Sequence, residues 1–219
     1  MFTPPPRECQ LCPRLVAFRE ANKLAYPAFY NGAVPPFGEL DARMLVVGLA
    51  PGLKGANASG RPFTGDFAGV VLYAALAKHG FATGSFNPEQ VMKSGDDGFR
   101  LQDVRITNAV RCVPPENKPT PAEEKTCNQF LIQELAAMTG LEIILSLGLT
   151  SHQAVLRNFK LKVKDYKFAH GAVHVLPNGL LLLDSYHTSR YNVSTGRLTQ
   201  AMFDAIVLQG RGLLSQPSS

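Results

Sequence analysis

The sequence predicts a three-layer α/β/α sandwich built around a mostly parallel, four-stranded central sheet. Four short segments are apolar or β-branched along their whole length, as expected for strands that are buried on both faces of a sheet. Helix signals lie between these segments, and this alternation of strands and helices is typical of α/β proteins. Because ligands of such sheets bind beyond the carboxyl ends of the strands, the loops at that edge are the predicted site.

Local signals support each element in turn. The predicted strands are residues 44–48, 104–110, 143–147 and 180–184, and the predicted helices are residues 70–78, 121–138 and about 151–159. Thr120 and Glu123 form a capping box around Pro121, which favours the start of a helix there. A last helix is predicted from four apolar residues that share one helical face, namely Leu198, Met202, Ala205 and Ile206.

The composition predicts a single domain over residues 1–219, with a flexible tail at residues 211–219. The chain has 219 residues, of which 45% are hydrophobic, and this suffices for one substantial core. Its net charge of +5 favours a polyanionic partner. No segment has about 18 consecutive apolar residues, and the N-terminus has no apolar signal core, so we expect a cytoplasmic, nucleoid-associated protein that does not bind membranes. We also expect a monomer.

The chain has four cysteines, and they frame a glycine-rich loop. Cys9 and Cys12 form a C-x₂-C pair, Cys112 follows the second predicted strand, and Cys127 lies early in the capped helix. Disulfides are not expected in a reducing cytosol, so these thiols are candidate metal ligands. Their spacing alone fits either a zinc ion or an iron–sulfur cluster, and it leaves open that Cys112 and Cys127 are small buried hydrophobes.

The glycine-rich loop follows the first strand and holds two motifs, Gly48-Leu49-Ala50-Pro51-Gly52 and Gly60-Arg61-Pro62-Phe63-Thr64-Gly65-Asp66. It lacks the Lys-Ser/Thr ending of a P-loop that binds nucleoside triphosphates. Residues 48–66, 108–115 and 184–196 each follow a predicted strand, so we expect them to converge at one edge of the sheet. His187 lies in the last of these stretches and is therefore the best functional candidate among the histidines, whereas His152 is predicted to be a surface residue in the first turn of a helix.

Three further motifs complete an ordered set, namely Cys9-Gln10-Leu11-Cys12-Pro13-Arg14-Leu15, Thr107-Asn108-Ala109-Val110-Arg111-Cys112 and Asp184-Ser185-Tyr186-His187-Thr188-Ser189. With these motifs the chain resembles the uracil-DNA glycosylase superfamily, and specifically its iron–sulfur family 5 (type b) branch. The resemblance covers most of the chain and implies a uracil-DNA glycosylase-like fold. It also implies a structural [4Fe–4S] cluster that is held by all four cysteines.

Four positions distinguish this chain from other branches of that superfamily. The uracil-specific branch has a catalytic Asp in place of Ala50, and iron–sulfur family 4 has a Glu in place of Leu49; the lack of both acids is the pattern of family 5. Thr188 replaces the proline that usually follows the motif histidine. Gly52 replaces a tyrosine that blocks the methyl group of thymine, which implies a roomier pocket for larger bases such as hypoxanthine or 5-hydroxymethyluracil.

Hydrolysis of an N-glycosidic bond requires a held base, a stabilised leaving anion and a water. Asn108 can bind the Watson–Crick edge of uracil, Phe63 can stack on the base, and His187 can donate to uracil O2 as negative charge accumulates there. Asp66 is the only carboxylate of the glycine-rich loop, and we expect it to orient the water. The predicted catalytic residues are therefore Asp66, His187 and Asn108, and the predicted base-binding residues are Gly48, Leu49, Ala50, Gly52, Phe63, Asn108 and His187.

Contacts to DNA are predicted outside this pocket. By the resemblance, the loop after His187 enters the minor groove, where Tyr191 or Arg190 fills the gap that the extruded base leaves. Ser59, Ser189 and Arg197 are the candidates for holding phosphates. A basic run beside them is either a further DNA contact or a solvated face, and it comprises Arg157, Lys160, Lys162, Lys164 and Lys167.

Together these observations predict a monofunctional DNA repair glycosylase that removes uracil and other deaminated bases from DNA and leaves an abasic site. No lysine lies in the pocket motifs to form a Schiff base, so no strand cleavage is expected. A rival class is a metal-cluster-stabilised module that binds DNA lesions without turnover, and the missing acids at positions 49 and 50 favour it. A metal-dependent hydrolase is a weaker rival, because four thiolates leave no open catalytic position on the metal.

Overall fold

A computed structural model of the chain describes residues 2–214 and contains a central sheet with helices on both faces. The strands within this range are β1 (Met44–Gly48), β2 (Ala82–Thr83), β3 (Arg100–Leu101), β4 (Val104–Asn108), β5 (Ile143–Leu147), β6 (Val173–Val175) and β7 (Leu181–Ser185). The helices are α1 (Pro13–Ala25), α2 (Ala56–Ser59), α3 (Phe67–Lys78), α4 (Pro88–Ser94), α5 (Pro121–Ala137), α6 (Leu149–Asn158), α7 (Arg190–Ser194) and α8 (Gln200–Leu213).

The main sheet has five strands in the order β4-β1-β5-β7-β6, and the first four of them are parallel. The predicted α/β fold with a mostly parallel central sheet is confirmed, but the predicted number of four strands is wrong. The fifth strand, β6, pairs antiparallel with β7 at the edge of the sheet. Because Val173 and Val175 of β6 are exposed, the strand lacks the continuous buried run by which the others are recognised in the sequence.

The strands next to the site have nearly the predicted bounds. β1 and β5 begin and end as predicted, whereas β4 ends at Asn108 rather than at residue 110. Beyond β4, the backbone NH groups of Ala109 and Val110 still donate to Gly48 O and Leu49 O, each at 2.9 Å. These two bonds fix the beginning of the glycine-rich loop against the end of β4.

The two faces of β1 enter different apolar layers of the core. Met44 and Val46 pack with residues of α3 and α8, whereas Leu45 and Val47 pack with residues of α5 and α6. This alternation follows from the period of two residues that side chains have along a strand. All residues of β1 are buried, and each buried leucine or valine side chain contributes about 1.5–3 kcal/mol to the free energy of folding. The strand is therefore a firm base for the loop that follows it.

Side-chain caps fix the starts of two helices that lie beside the site. Asp66 accepts from Gly69 N at 3.1 Å, so α3 begins at Phe67 rather than at the predicted residue 70. The predicted capping box of α5 is confirmed, since Thr120 Oγ1 accepts from Glu123 N at 3.3 Å and Glu123 accepts from Thr120 N at 2.8 Å. Both caps satisfy NH groups that the first turn of a helix leaves without partners.

The last helix extends further than the sequence indicates. α8 runs to Leu213, so residues 211–213 are helical and do not belong to the predicted tail; residues 215–219 lie outside the described range. The Arg211 guanidinium lies 3.9 Å from the centre of the Phe81 ring and donates to His79 O at 3.2 Å, which holds this turn on the domain. Among the described helices, none is long and apolar enough to cross a membrane.

Candidate active site

A small pocket lies at the carboxyl ends of β1 and β4, beneath the loop that follows β7. Its cavity volume is about 30 Å³. Its lining residues come from four stretches of the chain and are Ala50, Pro51, Gly52, Ala56, Phe63, Asp66, Ala68, Asn108 and His187. The structure thus brings together the three predicted catalytic residues, Asp66, His187 and Asn108, with Phe63. We call this the base pocket.

The register between β1 and β4 sets the floor of the base pocket. Gly48 is paired with Asn108 across the two parallel strands. A Cβ atom on Gly48 would collide with both Asn108 Oδ1 and the Phe63 ring, so the glycine lets these two side chains meet. The Phe63 ring centre lies 6.3 Å from that of His187, and the two planes are inclined by 32°. Asn108 and Phe63 are thereby placed at the pocket where a planar ring could be held.

Phe63 has a left-handed backbone with a φ of 56°, which is costly for a bulky residue. The neighbouring Arg61 holds this conformation. Its guanidinium lies 3.9 Å from the centre of the Phe37 ring, and it donates to Asp97 at 2.7 Å. Tyr73 Oη also donates to Pro62 O at 2.6 Å, on the residue between Arg61 and Phe63. Sequence reasoning did not identify Arg61, because its aromatic partners are scattered along the chain.

Asp66 is held at the N-terminus of α3 in a crowded environment. One carboxylate oxygen accepts from Gly69 N, and the other lies against Gly55, where a Cβ atom would come within 2.6 Å of it. Burial raises the pKa of Asp66 above its usual value, despite the backbone NH groups that favour the ionised form. The loop therefore brings a partly desolvated carboxylate to the base pocket.

His187 lies on the loop between β7 and α7. Asn192 Nδ2 donates to His187 O at 2.8 Å, and Ser189 Oγ accepts from Asn192 N at 3.3 Å, so the start of α7 fixes the position of this loop. Burial lowers the pKa of His187 to about 4, which keeps the imidazole neutral at physiological pH. A neutral ring still donates one N–H bond. Asn192 is a positioning residue that sequence reasoning missed.

Thr188 follows His187 in the position where the resemblance predicts a proline. Its side chain is fully buried, and its hydroxyl has no hydrogen-bond partner among the described residues. An unpartnered buried hydroxyl destabilises a fold by about 1–3 kcal/mol. The loop of His187 therefore carries a local defect that the usual proline would not have.

Two open grooves meet at Leu49 and His187, on either side of the base pocket mouth. The first has Asn117, Ser189 and Arg190 along it, and the second has Phe168, Tyr186 and Arg197. Three of the five predicted DNA-binding residues, Ser189, Arg190 and Arg197, therefore line the two grooves. Tyr191 lines neither groove, but it follows Arg190 in α7 and is 72% exposed. The grooves could accommodate the two flanks of a strand.

The remaining predicted DNA contact, Ser59, lies within the glycine-rich loop. Its hydroxyl donates to Arg61 O at 3.2 Å and to Thr64 O at 3.1 Å. These bonds hold the turn that carries Phe63 and Asp66. Ser59 thus contacts the loop backbone and is separate from the residues that line the two grooves.

The four cysteines line a single apolar cavity of about 340 Å³ between α1, α5 and the segment after β4. Arg111 N donates to Cys127 Sγ at 3.3 Å. Burial raises the pKa of Cys12 to about 11 and that of Cys112 to about 12. Ala50 packs against the apolar cluster of Leu15, Val110 and Cys127, which line this cavity, and it also lines the base pocket, so this residue connects the two sites.

His152 contradicts the sequence prediction of a surface residue. Its side chain is fully buried and lies between Asp184 and the backbone of Tyr166. The segment that follows α6 covers the first turn of this helix. This contact forms only in the folded chain, so the spacing of residues along α6 does not predict it.

The fold and the pocket define a class of α/β protein that binds its ligand beyond the carboxyl ends of a parallel sheet. Residues 35–209 match the family model of the Uracil DNA glycosylase superfamily. The chain is 43% identical over 210 residues to a Type-5 uracil-DNA glycosylase of Thermus thermophilus, with 94% of this chain and 93% of that protein covered. Type-5 enzymes of Mycobacterium tuberculosis and Pyrobaculum aerophilum are 39% and 41% identical, covering 94% and 87% of this chain and 78% and 82% of the relatives.

The chain therefore belongs to the Uracil DNA glycosylase superfamily. The relatives named Type-5 confirm the resemblance that the ordered motifs indicate. Type-4 enzymes are more distant, as the 34% identity to one from Pyrobaculum aerophilum covers only 63% of this chain.

Proposed function

We propose that the protein is a uracil-DNA glycosylase that hydrolyses the bond between uracil and deoxyribose in DNA and leaves an abasic site. The observation that carries this proposal is the convergence of Asn108, Phe63, Asp66 and His187 around one pocket. Relatives that share 39–43% of their residues with this chain bear the name Type-5 uracil-DNA glycosylase, which supports the same assignment.

The first task of the pocket is to hold an extruded base. Phe63 offers a ring for stacking, and the Asn108 amide offers both a donor and an acceptor to the Watson–Crick edge. Gly48 permits both side chains to approach the same point. Because Asn108 is buried at the end of a paired strand, its amide is held in place before the base arrives.

The second task is to stabilise the departing base as an anion. His187 is neutral at physiological pH and can donate one hydrogen bond to uracil O2, where charge accumulates as the bond breaks. Backbone NH groups of residues 48–52 add further donors. A neutral donor keeps its proton, so the charge stays on the base until product release.

The third task is to bring water to the sugar. We assign this task to Asp66, whose carboxylate lies against Gly52 and Gly55 at the pocket. Its negative charge also opposes the positive charge that develops on deoxyribose. Neither Leu49 nor Ala50 supplies an acid, and a bond that breaks largely before water attacks does not require a strong base.

The range of bases depends on Gly52. A Cβ atom there would lie 3.5 Å from the second Asp66 carboxylate oxygen, which is ordinary van der Waals contact, so the position has room in front of it. We propose that the pocket also accepts hypoxanthine and 5-hydroxymethyluracil. Excision of uracil alone from a panel of oligonucleotides that carry these three bases would contradict this extension.

We further propose that Cys9, Cys12, Cys112 and Cys127 hold a structural [4Fe–4S] cluster. Four thiols in one apolar cavity fit this group. Four thiolates around one zinc ion would lie about 3.8 Å apart. Among the described residues, the one group of three or more ligand atoms within 4.8 Å of each other contains no cysteine, so no three of these sulfurs lie that close together, and this spacing favours a cluster over a single ion.

A bound cluster would crosslink α1, α5 and the segment after β4. Arg14 reinforces this junction, since its guanidinium donates to Glu123 at 2.8 and 2.7 Å. The cluster supplies no step of the hydrolysis. Its effect on the base pocket is indirect and acts through Ala50, which packs against the cavity.

DNA is the proposed partner, and the protein is proposed to act on it as a monomer in the cytoplasm, where it associates with the nucleoid. Arg190 and Arg197 lie on opposite grooves, which suits contacts to phosphates on both flanks of the extruded nucleotide. Tyr191 follows Arg190 in α7, is exposed, and is the proposed wedge. Ser189 also caps α7 and Ser59 holds the glycine-rich loop, so we rank both below the arginines as phosphate contacts.

The deciding experiment is an excision assay on a duplex with one U·G pair, in which abasic sites are revealed by hot alkali. Strand breaks that depend on alkali are the expected result for a monofunctional glycosylase. A covalent adduct trapped by borohydride would instead reveal a lyase. Tight lesion binding by cluster-loaded protein, with no excision, would support the rival module that reads lesions without turnover.

A further inference from the structure

Asp184 of β7 is a fully buried carboxylate. Ser146 Oγ donates to its Oδ1 at 2.7 Å, His152 Nδ1 lies 2.8 Å from the same oxygen, and His174 Nε2 lies 3.2 Å from Oδ2. Among the described residues, no lysine or arginine forms an ion pair with it. An ionised carboxylate is stable in the interior only with a countercharge, so an ionised Asp184 needs a cation within this cluster.

The hydrogen bonds of His152 define where that cation lies. Its Nε2 is 2.9 Å from Tyr166 O, and a backbone carbonyl only accepts, so Nε2 carries the hydrogen. In a neutral ring, Nδ1 then has a lone pair that points at the Asp184 oxygen 2.8 Å away. Two lone pairs repel at this distance. Either an additional proton or a metal ion must therefore lie beside Nδ1.

We propose that His152, His174 and Asp184 form a site for a divalent cation of zinc type. Ligand atoms of the three residues lie within 4.8 Å of one another. Two imidazoles and a carboxylate are a common ligand set for Zn²⁺. Ligands about 2.0–2.1 Å from a tetrahedral ion are about 3.3 Å apart. The observed 2.8 and 3.2 Å separations therefore need only small side-chain shifts.

The surroundings of the cluster match those of known kinds of metal site. Ligating histidines usually donate their second N–H to a backbone carbonyl, as His152 does to Tyr166 O. Ser146 orients Asp184 in the same manner. The His174 side chain is 16% exposed, so the cluster reaches the solvent at this ligand.

The proposed ion has a structural role and goes beyond the glycosylase activity. His152 is on α6, His174 on β6 and Asp184 on β7, so one ion ties three elements together. Asp184 is three residues before His187, and the ion would anchor the base of the loop that carries this histidine. None of its three ligands lines the base pocket or the cysteine cavity, so the site is distinct from both.

The test uses cluster-loaded protein that has been treated with EDTA and then titrated with Zn²⁺. Calorimetry and elemental analysis are expected to show one zinc per chain, and anomalous scattering from a crystal is expected to place it between the three ligands. The variant His174→Gln should lose this zinc. The matched control His79→Gln changes a histidine at the end of α3 and should keep it.

Several results would overturn the proposal. Zinc that binds equally well to His174→Gln would lie elsewhere, for instance in the cysteine cavity of protein that has lost its cluster. No anomalous peak at the three ligands in the wild type would also be decisive, and Asp184→Asn provides a second variant if His174→Gln does not fold. An unfolding temperature that does not respond to Zn²⁺ would also overturn the proposal. Excision of uracil is measured separately and does not decide this question.

Discussion

Replacement of Asp66 by asparagine separates the proposed catalytic role of this residue from its structural one. The amide oxygen of the new side chain would still accept from Gly69 N, so the cap of α3 is retained. Burial raises the pKa of Asp66, which means that the folded state binds its proton more tightly than the unfolded state does. Ionisation of Asp66 at neutral pH therefore destabilises the fold, and a neutral amide removes this penalty.

The expected outcome is a slower enzyme that is at least as stable as the wild type. Loss of one preorganised electrostatic contact to a transition state reduces kcat by about 10²–10³-fold, or about 2.7–4 kcal/mol. The rate is measured as single-turnover excision of uracil from a U·G duplex, and stability is measured as the unfolding temperature of cluster-loaded protein. Asp66→Ala is the control, because it loses the helix cap as well as the charge and should be about 1 kcal/mol less stable than Asp66→Asn.

Wild-type excision by Asp66→Asn would refute the assignment of water orientation to this carboxylate. If Asp66→Asn lowered the unfolding temperature as much as Asp66→Ala does, the conclusion that the buried charge of Asp66 destabilises the fold would be wrong. DNA affinity provides a further check, since a residue that acts on the sugar and the water should leave binding of an undamaged duplex unchanged.

Three other changes test the structure around the base pocket. Arg61→Leu breaks a buried ion pair and should lower the free energy of unfolding in urea by about 3–5 kcal/mol. Arg100→Ala breaks an exposed ion pair and should lower it far less. Thr188→Val removes an unpartnered hydroxyl and should raise the free energy of unfolding by about 1 kcal/mol; a decrease would show that the hydroxyl has a partner. Burial lowers the pKa of His187 from 6.5 to about 4, so the unfolded state binds more protons than the folded state between these two pH values. The free energy of unfolding should therefore decrease as the pH is lowered through this range. The decrease should be smaller in His187→Gln.

Much of the fold follows from local patterns in the sequence, because continuous apolar runs identify strands that are buried on both faces. β6 has no such apolar run, because its two valines are exposed at the sheet edge, and the sequence therefore does not predict this strand. The base pocket was predictable because its residues follow strand ends, and the parallel arrangement brings those ends together. Arg61 and His152 were not predictable, since their partners come from distant segments whose contacts exist only in the folded chain.

The pairing of Gly48 with Asn108 makes excision a reporter of correct folding. Side chains alternate between faces, so a shift of β4 by one residue would place Thr107 or Ala109 beside Gly48 and turn Asn108 away from the base pocket. A chain with shifted strands would contain the same helices and give a similar circular dichroism spectrum, yet its pocket would lack the amide that we propose to bind uracil. During refolding, the recovery of uracil excision therefore counts only those molecules in which these two strands are aligned.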